Sequence, residues 1–335
     1  YRDAELAKKR FPTNWSPIQN SQGVIVHSMH SLKLAETWYG ESATEDWQVI
    51  PLVRNAPSVI EREAARTQLG IRATDFVVCS FGFLDATKRN DSLLRAWSRS
   101  ALSMDSSCQL IFVGENNGGE YGARLLTLVK ESGCGERIQI TGYATSHDFK
   151  RYLAAADLAV QLRTDSRGET SAAVLDCLAH ACPVIANANG AMAELDSSAV
   201  WLLPGLFEDD SLIEALETLR EDKNRRMNMG ERGRSIILED HAPSACAVAY
   251  RDAIEKFHHG SAFGLSALNA QVAKTPERQI KQSVSLPALA NALARNFPLP
   301  SPAKSIYVDI TATCAHDRKT GIERVARALT LALLT

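Results

Sequence analysis

The chain has 335 residues, 45% of them apolar and 23% charged, with 37 Lys and Arg set against 39 Asp and Glu. This near-neutral balance lacks the electrostatic footprint of a nucleic-acid binder or a strongly basic membrane patch, and no run of 18 apolar residues is present to span a bilayer. Seven cysteines occur without any Cys-x-x-Cys pair. Cys79, Cys177 and Cys182 lie in apolar stretches and read as small core residues in a reducing compartment. The length suits two domains, or one domain with parts of others. The first residue is Tyr1 and no signal-peptide pattern opens the chain, so both ends read as cuts in a longer protein.

Residues 1–20 are polar with a helical start. Gly23-Val24-Ile25-Val26-His27-Ser28 predicts a short strand, residues 31–39 a helix, and Trp47-Gln48-Val49-Ile50-Pro51 a second strand. His27, coming directly after a strand, reads as structural before it reads as a ligand. A helix over 61–70 ends at Gly70, a suitable C′ residue. From there apolar strands at 76–81, 108–113, 137–141, 158–162, 183–187 and 199–203 alternate with helices. The helices lie near 89–102, 120–132, 147–156, 171–181, 208–221 and 223–237. Such alternation predicts an α/β fold: a doubly wound, Rossmann-type parallel sheet covered on both faces, closed by a helix at 242–257. Ligands of such a sheet belong at the carboxyl ends of its strands.

Residues 258–303 change character. His258-His259-Gly260-Ser261, Pro276, Pro287, Pro298, Pro300 and Pro302 read as a linker with one small helix near 288–295. Ser305-Ile306-Tyr307-Val308-Asp309-Ile310 is a fresh strand, and Thr320-Gly321-Ile322-Glu323-Arg324-Val325 opens a new helix.

Two strand-to-helix loops carry the chemistry. In the first, strand 76–81 leads into Gly82-Phe83-Leu84-Asp85-Ala86-Thr87-Lys88-Arg89. Taken alone, Lys88 and Arg89 fit a solvated helix start as well as an anion site. In the second, strand 158–162 leads into Arg163-Thr164-Asp165-Ser166-Arg167-Gly168-Glu169-Thr170-Ser171. Thr170 and Ser171 are good N-caps, and the unpaired amides and dipole of the following helix favour an anion. Glu169 has a plain alternative as an acid stabilising the helix N-terminus. Five residues past the cap, Asp176 is spaced to take a ribose hydroxyl when the helix tip holds phosphate. The glycine-rich run Gly114-Glu115-Asn116-Asn117-Gly118-Gly119 reads as a surface loop, and none of the eight histidines has metal-ligand spacing.

Leu175-Asp176-Cys177-Leu178-Ala179 through Pro183-Val184-Ile185-Ala186 resembles the donor-binding segment of retaining family 4 glycosyltransferases, group 1 enzymes of the GT-B fold. Asp176 stands at the second glutamate of their Glu-x7-Glu motif. The first falls on Gly168, with Glu169 one step later, and Arg-Gly-Glu-Thr-Ser resembles a variant branch. Their Gly-Arg-Leu-x-x-x-Lys-Gly segment lies over 82–89, so Lys88 matches the lysine and Phe83 replaces the arginine. Arg89, Arg163 or Arg167 is left to supply that second cation.

The resemblance implies that Lys88 and Glu169 are catalytic. It assigns donor binding to Gly82, Arg89, Tyr143, Arg163, Arg167, Gly168, Thr170, Ser171 and Asp176. Gly142-Tyr143 falls where the family places the nucleotide base, and Tyr143 either stacks on that base or caps the core. Ala191-Met192-Ala193-Glu194-Leu195 matches a family turn in which Glu194 is structural. The implied division is 1–53 as the tail of an acceptor-side Rossmann-like domain, 54–257 as the nucleotide-sugar-binding domain, 258–303 as linker and 304–335 as the start of a second glycosyltransferase.

The implied reaction transfers a sugar from a nucleotide-diphosphate donor to a glycan or lipid-linked acceptor in polysaccharide (O-antigen-like) assembly. No metal, cofactor or nucleic acid is implied. Family tendency makes GDP-mannose the first donor to test, and the cytoplasm or the inner face of the bacterial cytoplasmic membrane the expected location. A non-catalytic scaffolding or glycan-binding module, and a sugar-nucleotide epimerase on the same fold, are the alternatives. A dinucleotide-binding dehydrogenase is disfavoured because no strand leads into its glycine fingerprint.

Overall fold

A computed structural model describes residues 15–260 and 321–334, with isolated positions between them. Helix α1 (Trp15–Gln19) precedes a small β–α–β unit. In it β1 (Ile25–Val26) and β2 (Gln48–Val49) pair in parallel around α2 (Met29–Tyr39), in the register Ile25↔Gln48. The segment predicted as a six-residue strand at 23–28 thus contracts to two residues. Among the described residues it has a single partner strand to pair with.

After α3 (Arg62–Gln68) the chain alternates strictly: β3 (Phe76–Phe81), α4 (Asn90–Arg99), β4 (Cys108–Val113), α5 (Glu120–Glu131), β5 (Ile138–Ile140), α6 (Ser146–Ala155), β6 (Leu158–Gln161), α7 (Ala172–Ala179), β7 (Val184–Asn187), β8 (Val200–Leu203), α8 (Asp209–Glu221), α9 (Lys223–Asp240) and α10 (Pro243–Gly260). The six strands from β3 onward form one parallel sheet in the order β5-β4-β3-β6-β7-β8. β3, β6 and β7 are buried throughout and β4 nearly so, which is why they read as apolar runs instead of alternating ones, whereas β5 at the sheet edge exposes Gln139 and β8 is half-buried at Trp201 and Leu202. Val77, Cys79 and Phe81 enter one core with Leu153 of α6 and Val174, Leu175 and Leu178 of α7. Phe76 and Val78 enter the other with Leu93 and Trp97 of α4, Leu125 of α5 and Leu212 and Leu216 of α8.

The helix predicted over 89–102 stops at Arg99. Ser100 turns its hydroxyl back onto the carbonyl of Trp97 (2.7 Å), and a short 3-10 turn, Ala101–Ser103, follows. The strand predicted at 305–310 and most of the 258–303 linker lie outside the described residues. Helix α11 (Gly321–Leu334) begins where the sequence predicts one and packs against α10.

The sheet order places the site. From β3 the chain winds outward through β4 and β5, then returns to β6 on the opposite side of β3. The adjoining connections leave in opposite directions, opening a crevice at the carboxyl ends of β3 and β6, where such sheets hold their ligands. The 82–89 loop and the 162–171 loop, singled out in the sequence for separate reasons, meet there.

Candidate functional site

Gly82, at φ 110°, turns the chain out of β3. Asp85 then fixes the loop: its carboxylate accepts from the amide of Thr87 (3.1 Å) and from its hydroxyl (2.9 Å), and from Asn117 Nδ2 (3.1 Å). Those bonds, the Thr87 amide first, hold the Asp85 carboxyl below the usual carboxylate range. The single 3-10 turn Ala86–Lys88 follows, and its last residue, Lys88, folds back over the strand end. A Cβ placed on Gly82 would lie 3.9 Å from Lys88 Nζ, so the ammonium sits above the glycine in the crevice. Burial, and after it the charge of Arg163, push the Lys88 ammonium down to about 8, with Glu169 and Asp85 partly opposing. A solvated helix start does not describe this residue.

The second loop is tied to the first. The amide of Thr164 donates to the carbonyl of Thr87 (3.0 Å). Asn187, fully buried at the end of β7, accepts from the Arg163 amide (2.8 Å) and donates to the Arg163 and Gly205 carbonyls (2.8 and 3.0 Å). With its backbone held on both sides, Arg163 extends Nη1 to Glu169 Oε1 (2.7 Å). The other oxygen of Glu169 accepts from the Arg167 amide (2.7 Å). Partial burial raises the Glu169 carboxyl, but the amides of Glu169 and Arg167 and the charges of Arg163 and Lys88 outweigh it, so the group lies below its ordinary value. Gly190, at φ 61°, allows this loop its close approach, because a Cβ there would lie 2.1 Å from Ser166. Ser171 is the buried N-cap of α7, with its hydroxyl making no capping bond.

Not every residue expected at the site converges on it. Arg89, in the left-handed conformation (φ 50°), lays its guanidinium on the ring of Phe207, 4.1 Å from the centroid. Arg167 contributes its backbone amide while its side chain is exposed. Of the three arginines considered as replacements for the cation lost at Phe83, Arg163 is the one beside Lys88. Tyr143 follows Gly142 at the end of β5 and is 73% exposed, so it does not cap the core. Asp176 faces the segment that crosses between the two units, with Oδ1 3.3 Å from Arg54 Nε. Its Oδ2 is out of contact with solvent.

The small N-terminal unit closes one side of the crevice, which sequence reasoning did not anticipate. Helix α2 points its N-terminus at Glu194 and the 163–171 loop. Ser28 caps the amide of Ser31 (3.0 Å), and the carboxylate of Glu194 accepts from the amides of Met29 (3.0 Å) and His30. The orphan donors of the first turn are therefore satisfied from across the molecule. Ser31 donates its hydroxyl to the Gly168 carbonyl, and Thr170 donates to the His27 carbonyl (3.3 Å). His27 itself hydrogen-bonds the Ile50 carbonyl through Nδ1 (2.9 Å), a structural role. Glu194→Gln is expected to remove about 1 kcal/mol of capping from α2. Faster hydrogen exchange at Met29 and His30, with the β3–β8 sheet amides unchanged, would register the loss.

A parallel α/β sheet that brings Lys88 and Arg163 together at its topological switch point belongs to the class whose ligands sit at the carboxyl ends of the strands. The family "Glycosyl transferases group 1" matches residues 61–236, more than half of the chain, and the protein belongs to that family. Among curated proteins, a GDP-mannose-dependent monoacylated alpha-(1-6)-phosphatidylinositol monomannoside mannosyltransferase from Corynebacterium glutamicum is 28% identical over 218 residues. The alignment covers 63% of this chain and 56% of that protein, so the chain spans little more than half of the relative's length.

Among solved structures, sucrose-phosphate synthase from Thermosynechococcus elongatus superposes with a TM-score of 0.65 at 21% identity, covering 76% of this chain and 63% of that one. HepE from Anabaena, solved in complex with UDP-glucose, gives 0.57 at 23% identity, covering 70% and 63%. These likenesses establish the GT-B-type α/β fold. Among the described residues, no helix is long and apolar enough to cross a membrane.

Proposed function

We propose that residues 54–257 are the donor half of a retaining hexosyltransferase that takes its sugar from a nucleoside-diphosphate donor. The carrying observation is the placement of the Lys88 ammonium over Gly82, beside the Arg163–Glu169 pair and the N-terminus of α7. As the bond from the sugar C1 to the diphosphate breaks, negative charge accumulates on the leaving oxygens. Cations and amides fixed at that point stabilise the transition state more than the bound donor. Lys88, Arg163 and the amides of 168–171 would hold the diphosphate, with Tyr143 near the base. The acceptor hydroxyl attacks C1 from the face the diphosphate leaves, and its proton passes to a diphosphate oxygen, so configuration is retained without a metal. GDP-mannose is the first donor to test, given the GDP-mannose dependence named for the Corynebacterium relative. A glycan or lipid-linked acceptor in bacterial surface-polysaccharide assembly completes the reading, at the cytoplasmic membrane face, with other domains of the parent chain contributing the acceptor side.

A thermal-shift panel of GDP, UDP, ADP, GDP-mannose, UDP-glucose and pyrophosphate tests the donor site. A ligand at a hundred times its Kd stabilises the native state by about 2.7 kcal/mol, a readily measured rise in Tm. No shift with any of them overturns the reading. Phe83 at the arginine position and Gly168 at the first glutamate position favour a second reading, a non-catalytic glycosyltransferase-like module. Transfer by the complete parent protein unchanged by Lys88→Ala would establish that second reading, and loss of transfer would remove it.

A further inference from the structure

We propose that Ser31, on helix α2 of the N-terminal unit, is a positioning residue for the donor site. Its hydroxyl holds the peptide between Gly168 and Glu169 in the orientation that turns the Glu169 amide toward the crevice. The inference rests on the donor-site reading above and adds a residue that the sequence does not single out.

Gly168 has φ 96°, in the left-handed region that favours glycine. Glycine adopts both signs of φ about equally, so the Gly168–Glu169 peptide has no steric reason of its own to keep one edge toward the crevice. Helix α2 supplies one. The Ser31 hydroxyl donates to the Gly168 carbonyl. The helix packs so closely there that a Cβ on Gly168 would lie 3.5 Å from Leu34 Cδ2 and 3.7 Å from Ser31 Cα. In a trans peptide the carbonyl and the following N–H point in opposite directions. With the carbonyl turned to α2, the Glu169 N–H is turned away from it. That is the side on which the Glu169 carboxylate meets Arg163 Nη1 (2.7 Å). The same amide helps to hold the Glu169 carboxyl below its ordinary value, as a donor on that side must.

Ser31 is itself held in place. The buried Ser28 hydroxyl accepts from the Ser31 amide (3.0 Å) and lies 2.7 Å from Ser31 Oγ. A hydroxyl has a single proton to give. Ser31 gives its proton to Gly168, so Ser28 is the donor to Ser31, and two bonds run in one direction toward the loop, polarising each other. On the far side of Glu169, Thr170 donates to the His27 carbonyl (3.3 Å). Residues 168 and 170 are thus both tied to the start of α2, and Glu169 is bracketed between them. A flipped peptide would put the Gly168 carbonyl oxygen where the N–H had been, and its partial negative charge repels a diphosphate.

The test is calorimetric titration of the 335-residue chain with inorganic pyrophosphate and GDP. It compares wild type, Ser31→Ala, Ser31→Thr, Ser31→Val and Glu194→Gln, each first shown to melt cooperatively. Ser31→Ala is expected to weaken both ligands about tenfold, the scale of one hydrogen bond to a charged acceptor. Threonine and valine have the same shape, and only threonine keeps the hydroxyl. Ser31→Thr should therefore bind about tenfold more tightly than Ser31→Val. Glu194→Gln loosens α2 without touching Gly168 and should bind both ligands as wild type does. In protein made with isotopically labelled glutamate, the Glu169 amide resonance, identified by its loss in Glu169→Asp, should shift with pyrophosphate in wild type and not in Ser31→Ala.

A hydroxyl that only docks the N-terminal unit predicts something else. Ser31→Ala and Glu194→Gln would then weaken binding alike, or Ser31→Thr and Ser31→Val would bind alike, or the Glu169 amide would respond to pyrophosphate equally in wild type and Ser31→Ala. Any of these overturns the proposal and leaves the diphosphate site standing. Should wild type bind neither ligand, the donor-site reading falls and this inference falls with it.

Discussion

Lys88→Met is expected to weaken nucleoside-diphosphate binding about tenfold to a hundredfold, the scale of a charge-assisted bond in a partly buried site. Turnover in the proposed sugar transfer should fall further, by about 10²–10³, as when one donor to a developing anion is removed. The pH dependence separates this from a general loss of structure. Burial and the neighbouring Arg163 place the Lys88 ammonium at about 8 in the free protein. Diphosphate affinity should then be flat below about pH 7 and fall by about a factor of ten per unit above pH 8, as the cation loses its proton. Stability without ligand should move the opposite way. Between about 8 and the unperturbed 10.5 the unfolded chain holds more protons at this position than the folded one, so the contribution of Lys88 to stability rises with pH. Methionine at 88 removes both trends. An affinity profile that keeps its fall above pH 8 in Lys88→Met would assign the titration to another group.

Most of the sheet was legible in the sequence, and for one reason. Strands such as Phe76–Phe81 and Cys108–Val113 are buried on both faces, so their apolar runs end where the strands end. The small unit was less legible. Among the described residues Ile25–Val26 pairs with β2 alone and is correspondingly short, and pairing is a property of two segments. Lys88, Gly168, Thr170 and Ser171 are singled out in the sequence because βα loops at a sheet's carboxyl edge carry local signals of glycine, N-cap and cation. The partnerships that give those residues their setting carried none. Asn187 holding Arg163 on both sides reads in the sequence as one more polar residue at a strand end. Arg54 reads as an interruption in an apolar stretch, and Glu194 as a turn residue, until the fold brings each to a partner more than 100 positions away. Arg89 shows the converse. Its sequence neighbourhood favours the crevice, but its guanidinium is engaged by the aromatic face of Phe207, a partner the local sequence does not announce.

The glycine-rich loop after β4, read in the sequence as a flexible surface loop, is the support on which the Lys88 loop rests. Leu84 forms a parallel bridge with Asn116, and Asn117 donates to Asp85 (3.1 Å). Beneath them Gly114 lies against Gly82 so closely that a Cβ on Gly114 would meet the Gly82 carbonyl oxygen at 2.0 Å and its carbon at 2.6 Å. The obstructing atoms are backbone, so rotation of a side chain cannot relieve the contact, and the end of β3 must move. Gly114→Ala is accordingly expected to cost about 1–3 kcal/mol of stability, as overpacking does. It should also weaken diphosphate binding at least as much as Lys88→Met, because the turn that carries the ammonium moves with Gly82. Gly118→Ala supplies the contrast. It lies in the same loop with nothing within 4 Å of an added Cβ, and should leave both Tm and affinity near wild type. Urea unfolding and GDP titration of the two variants, run side by side, decide whether the loop is a brace or a passive connection. Equal behaviour of Gly114→Ala and Gly118→Ala would show that the end of β3 accommodates the methyl group and that the position of Lys88 does not depend on this loop.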